Sequence, residues 1–149
     1  MDSNDIKIGF IGAGYMGYGM AHNLLKNNYQ LSVIAHNNRK PIEKLITQGA
    51  TEVNSLNELG KFNNVIIMCV TNTTVALEII NNILPFLKEG TLVLDITTHH
   101  STGSIEMNTL LHTKNIKYIE SPMMGGPIQA EEGVLGAIVG ANDEDFDYA

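Results

Sequence analysis

Ile6-Lys7-Ile8-Gly9-Phe10-Ile11-Gly12-Ala13-Gly14-Tyr15-Met16-Gly17 opens the chain with an apolar run, three spaced glycines and the first turn of a helical pattern. The run 6–11 is short and β-branched, which predicts a strand closed at Gly12. Beyond it Met16, Met20, Leu24 and Leu25 recur at helical spacing, which predicts a helix over 15–27. A G-x-G-x-x-G placed directly between a strand and a helix is the context in which that spacing holds a dinucleotide's diphosphate. Gly12 allows the tight turn, Gly14 lets backbone approach the pyrophosphate, and Gly17 lets the helix pack against the strand. The helix N-terminus adds backbone amides and a partial positive charge. Gly12, Ala13, Gly14, Tyr15, Met16 and Gly17 are therefore candidate cofactor-binding residues.

Outward from this turn, β-type and helix-type segments alternate. A second apolar run spans 29–35. Pro41 stands where a helix's first turn tolerates it, Ile42, Leu45 and Ile46 share a face, and Gly49 ends the helix. A short strand is expected over 51–53. Ser55 and Glu58 have capping-box spacing, the serine accepting from the Glu58 amide while the carboxylate reaches back. The run 64–70 is continuously apolar, as for a strand covered on both faces. Thr73 or Thr74 is expected to cap a helix through Leu77 and Ile80. Further strands are expected over 91–96 and 116–119, with a helix through Ile105, Leu110 and Leu111 between them. A Gly/Pro loop follows at 123–127, then a β-type run over 134–139. The acids at 143–147 read as the solvated first turn of a helix. This order implies an α/β fold of the Rossmann type: a doubly wound, mainly parallel sheet in three α/β/α layers.

Composition limits the function classes. The chain's 149 residues suit one domain, and 44% hydrophobic against 17% charged residues is ordinary globular usage. A net charge of −7 disfavours nucleic acid and anionic membranes as partners. A phosphate site built of backbone amides escapes that objection. No apolar run reaches the about 18 residues of a membrane span, and the polar start is no secretory signal. The single cysteine, Cys69, allows no internal disulfide and reads as a small buried hydrophobe. A cytoplasmic setting follows as the expectation. His99-His100 lacks ligands at metal spacing, so no metal is expected.

The stretch after the second strand is expected to read the cofactor's ribose. An acid about 20 residues past the glycines would favour NAD. Ala35-His36-Asn37-Asn38-Arg39-Lys40 contains none. His36, Asn37 and Arg39 are candidate contacts, and a neutral-to-basic cluster suits the 2′-phosphate of NADP in preference to NAD.

These residues resemble the β-hydroxyacid dehydrogenases, the family of 3-hydroxyisobutyrate dehydrogenase and the cofactor domain of 6-phosphogluconate dehydrogenase. Met16-Gly17 repeats the end of that family's glycine turn, and Gly49-Ala50 its Gly-Ala after the second helix. Asp95-Ile96-Thr97-Thr98 is similar to its D-x-S-T, and residues 121–126 to its A-P-V-S-G-G. Ala130, Gly133, Leu135, Val139 and Gly140 match the continuation. The resemblance implies a small hydroxy acid or semialdehyde exchanging hydride with NADP(H), and a homo-oligomeric full-length protein. It implies that Val70 and Thr71 pass the cofactor, that Thr98 lies by the nicotinamide ribose or substrate, and that the segment at Met124, Gly125 and Gly126 binds the substrate's acid group. Met124 replaces the family's hydroxyl there, and a thioether donates no hydrogen bond to a carboxylate. That departure keeps imine reduction open as an alternative, alongside a non-catalytic NADP-binding module. His99-His100 also departs from the family pattern. The family's proton-donating lysine sits on a helical second domain. The expectation is therefore that residues 1–149 form the NAD(P)-binding domain, that no catalytic residue lies in this chain, and that the chain alone turns over little.

Overall fold

The structure is a computed structural model and describes residues 6–148. The polar opening at 1–5 lies outside the described residues. Six parallel strands run in the order β3-β2-β1-β4-β5-β6: β1 Lys7–Ile11, β2 Gln30–Ile34, β3 Thr51–Val53, β4 Val65–Met68, β5 Leu92–Asp95 and β6 Lys117–Glu120. Helices α1 Tyr15–Lys26, α2 Lys40–Thr47, α3 Leu56–Phe62, α4 Thr73–Ile83 and α5 Ser101–His112 make the crossovers. The expected doubly wound sheet is present. Its strand order reverses between β1 and β4, whose register pairs Ile8 with Val65 and Ile11 with Met68. A crevice at the carboxyl ends of those two strands is where such sheets bind ligands.

Alternation along the strands divides the core into two layers. Ile66, Met68 and Val93 face one way, with Leu59 of α3, Ile80 of α4 and Met107 and Leu111 of α5. Ile8, Phe10, Leu31, Val33 and Ile67 face the other, with Ala21 of α1 and Ile42 and Leu45 of α2. Phe10, Leu45, Leu59 and Met68 are wholly buried. The strands are apolar on both sides because each side is covered by helices.

After β6 the chain makes β7 Met123–Met124, α6 Pro127–Glu132, β8 Gly136–Ala137 and α7 Asp143–Tyr148. β7 and β8 form a two-residue antiparallel pair. The β-type run 134–139 is thus mostly not strand, and Val134, Ile138 and Val139 are exposed. A strand needs a partner edge along its length, and β7 offers only two residues. The side-chain amide of Asn23 on α1 donates to the Ala130 and Glu131 carbonyls at 2.8 and 3.0 Å, clamping α6 onto α1. Gly19 permits that approach, since a Cβ there would lie 2.6 Å from the Ala130 carbonyl carbon.

Three local expectations change. The cap of α4 is Asn72, whose side chain accepts from the Val75 amide at 3.0 Å, rather than Thr73 or Thr74. Ser55 accepts from Glu58 as expected, but the Glu58 carboxylate reaches back to the Asn54 amide, one residue earlier. Asp145 is not solvated. It is buried, accepts from the Tyr118 backbone amide at 3.0 Å, and lies 3.5 Å from Lys117 Nζ. The acidic first turn of α7 is thereby tied to β6.

Candidate cofactor site at the sheet's switch point

The glycine turn lies at the reversal of strand order, between the end of β1 and the start of α1. Gly12 has φ +94°, a backbone state that side chains resist. A second constraint acts on it. The Cys69 amide donates to the Ile11 carbonyl at 2.8 Å as β4 runs past β1. A Cβ on Gly12 would lie 1.9 Å from the Cys69 carbonyl oxygen. Gly17 carries the expected packing role in atomic detail, since a Cβ there would lie 2.0 Å from the Gly12 carbonyl oxygen. Gly14 differs: a Cβ there would meet nothing within 4 Å. The protein's own packing does not require glycine at 14, and the space above it is open.

Gly14 caps α1 without a side-chain hydrogen bond, and the first turn of α1 holds no acid. The first-turn amides of a helix have no partner within it. Tyr15 is 91% exposed and Ala13 is buried beneath the turn. Open space over a glycine and a helix N-terminus whose first turn holds no acid fit a diphosphate.

Across the crevice, two loops are tied together below the surface. The Thr97 hydroxyl accepts from the Val70 amide at 3.0 Å, joining the loop after β4 to the loop after β5. Asp95 ends β5 wholly buried. Its Oδ1 accepts from the Thr97 amide at 3.0 Å, and its Oδ2 from the Tyr118 hydroxyl at 3.3 Å. His99 Nε2 lies 2.7 Å from the same Oδ2, with both side chains fully buried. Facing a carboxylate, that nitrogen carries a proton and donates. The other ring nitrogen, Nδ1, is 3.1 Å from the Thr73 hydroxyl at the start of α4. His99 is thus a brace between β5 and α4. The bracing roles of Asp95, Thr97 and His99 escaped the sequence reading; the motif 95–98 was the signal for the first two and the departure at His99-His100 for the last. Thr71 and Thr98 themselves are exposed.

Burial, and next the charge of Asp95, push the Cys69 thiol up to about 11, so it stays protonated and unreactive at neutral pH. Burial and then Asp95 likewise push the Tyr118 phenol upward.

In the loop expected to read the ribose, His36, Asn37 and Arg39 are all exposed after β2. Arg39 is engaged. Its Nη1 and Nη2 donate to the two carboxylate oxygens of Glu52 at 2.9 and 3.1 Å, and Nε lies 3.7 Å from Glu43. Glu52 sits on β3, brought beside β2 by the crossover through α2.

The segment expected to bind the substrate's acid group lies on β7 and the turn after it. Met124 is 56% exposed. Gly125 has φ +130°, and Leu135 packs over it. The Gly126 amide donates to the Gln129 side-chain oxygen at 3.0 Å. Among the described residues no group of three or more His, Cys, Asp or Glu is arranged to hold a metal, and no helix is long and apolar enough to cross a membrane.

Residues 7–149 match the family described as the NAD binding domain of 6-phosphogluconate dehydrogenase. The chain is similar to 2-(hydroxymethyl)glutarate dehydrogenase of Eubacterium barkeri, 30% identical over 148 residues that cover 95% of this chain and 48% of the relative. A solved 3-hydroxyisobutyrate dehydrogenase of Mycobacterium tuberculosis with L-serine superposes with a TM-score of 0.91, covering 97% of this chain and 49% of that one at 22% identity. A second, Psf3 in complex with NADP+, superposes with a TM-score of 0.88 at 26% identity, covering 95% and 51%. The chain spans about half the length of the relatives it matches.

Proposed function

The chain belongs to the NAD-binding domain family of 6-phosphogluconate dehydrogenase, within the β-hydroxyacid dehydrogenases, and from that premise we propose that it is the cofactor half of an NADP(H)-dependent reductase of small hydroxy acids or semialdehydes. The observation that carries this reading is the open cradle over Gly14, set between two glycines that packing does require. Gly12 to Gly17 would hold the diphosphate, Val70 and Thr71 would flank the cofactor, and Thr98 would stand by the nicotinamide ribose. Bound there, the cofactor supplies or accepts hydride. Asp95, Thr97 and His99 keep the two flanking loops at a set separation.

The preference for NADP rests on the absence of an acid at 35–40 and on Arg39, and a relative 26% identical is known with NADP+. The names of the relatives support a hydroxy acid substrate. Met124 makes the acid-binding end of that substrate site less polar than a hydroxyl would, since sulfur accepts only weakly. The resemblance to the family supports placing the proton donor on a second, helical domain.

Titration of the chain with NADPH, followed by nicotinamide fluorescence, is expected to saturate. No saturation at millimolar cofactor overturns the assignment. The same preparation is expected to reduce neither glyoxylate nor succinic semialdehyde, and turnover well above background would place the proton donor within these residues.

A further inference from the structure

We propose that Glu52 moderates the preference for NADP by masking Arg39, so that a 2′-phosphate must displace the Glu52 carboxylate to reach the guanidinium. This rests on the reading of the 36–40 loop as the ribose site.

Arg39 is the N-cap residue of α2 and directly follows the loop after β2. It is the guanidinium on that exposed loop, and Lys40, the other cation there, already stands within α2. A guanidinium recognises phosphate and carboxylate with the same planar fork, two parallel N–H groups to two oxygens. In this structure both terminal nitrogens of Arg39 point that fork at Glu52, at 2.9 and 3.1 Å. The third nitrogen stands 3.7 Å from Glu43. Arg39 therefore faces two carboxylates and no free anion site. An incoming 2′-phosphate meets a fork already in use and the negative charge of Glu52 beside it. An incoming 2′-hydroxyl meets neither obstacle, because NAD leaves the Arg39–Glu52 pair intact.

The pairing is a product of topology. Arg39 and Glu52 are 13 positions apart in sequence, and β3 lies parallel to β2 with Glu52 beside Val33. An acid absent from the β2 loop is thus delivered by the neighbouring strand. The Glu52 side chain is 28% exposed and that of Arg39 is 52% exposed, so the pair is within reach of solvent and can exchange partners. Exposed pairs of this kind are weak, which keeps the exchange reversible and its effect on affinity about three- to fivefold.

The test measures dissociation constants for NADPH and NADH, and for the fragments 2′,5′-ADP and 5′-AMP, on the chain and on Glu52→Gln, Arg39→Met and the double variant. Glu52→Gln is expected to raise the ratio of NADPH to NADH affinity about three- to fivefold, with NADH changed less than about twofold. The same shift is expected for 2′,5′-ADP against 5′-AMP. In the Arg39→Met background Glu52→Gln is expected to leave the ratio within about twofold, because the competitor then has nothing to mask. A ratio that stays the same or falls in Glu52→Gln overturns the proposal, and a fall would make Glu52 an orienter of Arg39. A wild-type chain that prefers NADH overturns the NADP assignment alone. A raised ratio in Glu52→Gln would then still support the masking role. Thermal unfolding of each variant without ligand confirms that the comparison is made on folded protein.

Discussion

At the scale of single residues, the three glycines of the turn differ in what demands them. Gly12 and Gly17 are demanded by packing. Gly14 is not, because its missing Cβ would touch nothing in the protein. Replacing Gly17 with alanine drives a Cβ against the Gly12 carbonyl oxygen and is expected to cost about 2–3 kcal/mol in urea unfolding. Gly14→Ala, at the N-cap of α1, is expected to cost about 1 kcal/mol or less in unfolding, yet to lose about tenfold in NADPH affinity, or 1.4 kcal/mol. A Gly14→Ala chain that binds NADPH unchanged would mean that the diphosphate sits elsewhere. The glycine spacing was legible in the sequence. The difference between Gly12 and Gly14 was not, because it depends on Cys69, which arrives from β4, far along the chain.

At the scale of elements, local rules located the six strands of the main sheet and the helices that cross between them, but gave a loop where β7 and α6 form, and misplaced a cap where a neighbouring residue competed for the same task. Asn72 outcompetes Thr73 as the cap of α4, and this releases the Thr73 hydroxyl to meet His99. Asn72→Ala is expected to cost about 1 kcal/mol, and Thr74→Ala, at an exposed position with no cap role, under about 0.5 kcal/mol. Equal losses in chemical denaturation would return the cap to the threonine. The acidic start of α7 shows the limit of a purely local reading. Charge near a helix N-terminus explains Asp143 and Glu144, but Asp145 is buried on the Tyr118 amide. The run 134–139 shows the same limit for strands, since β-propensity needs an available edge.

At the scale of the whole molecule, the buried Cys69 thiol and Tyr118 phenol set how the fold responds to alkali. The Cys69 thiol is raised to about 11 and the Tyr118 phenol is raised also, in both cases chiefly by burial. The unfolded chain gives up these protons at the ordinary values near 8.5 and 10, while the folded chain still holds them. Stability therefore declines as pH rises from about 9 toward 11, with a slope of up to about 1.4 kcal/mol per pH unit for each proton. Urea midpoints measured from pH 7 to 11 are expected to fall over that window. Cys69→Ala is expected to flatten the first part of the fall and Tyr118→Phe the later part. A profile that Cys69→Ala leaves unaltered would show that the thiol is not held protonated by the fold.

The sequence by itself determined the layered α/β plan, the parallel sheet and the place of the glycine turn, because period, caps and glycine spacing act over one or two turns of chain. Family membership was also legible in the order of several short motifs. Only the tertiary structure decided who meets whom across strands. It joined Arg39 to Glu52, set His99 between Asp95 and Thr73, and placed the Cys69 carbonyl over Gly12. The Arg39–Glu52, Thr73–His99 and Gly12–Cys69 approaches were each made by a crossover that brings residues distant in sequence side by side. No local pattern records such a partner, since the energy that selects it arises only when the strands align.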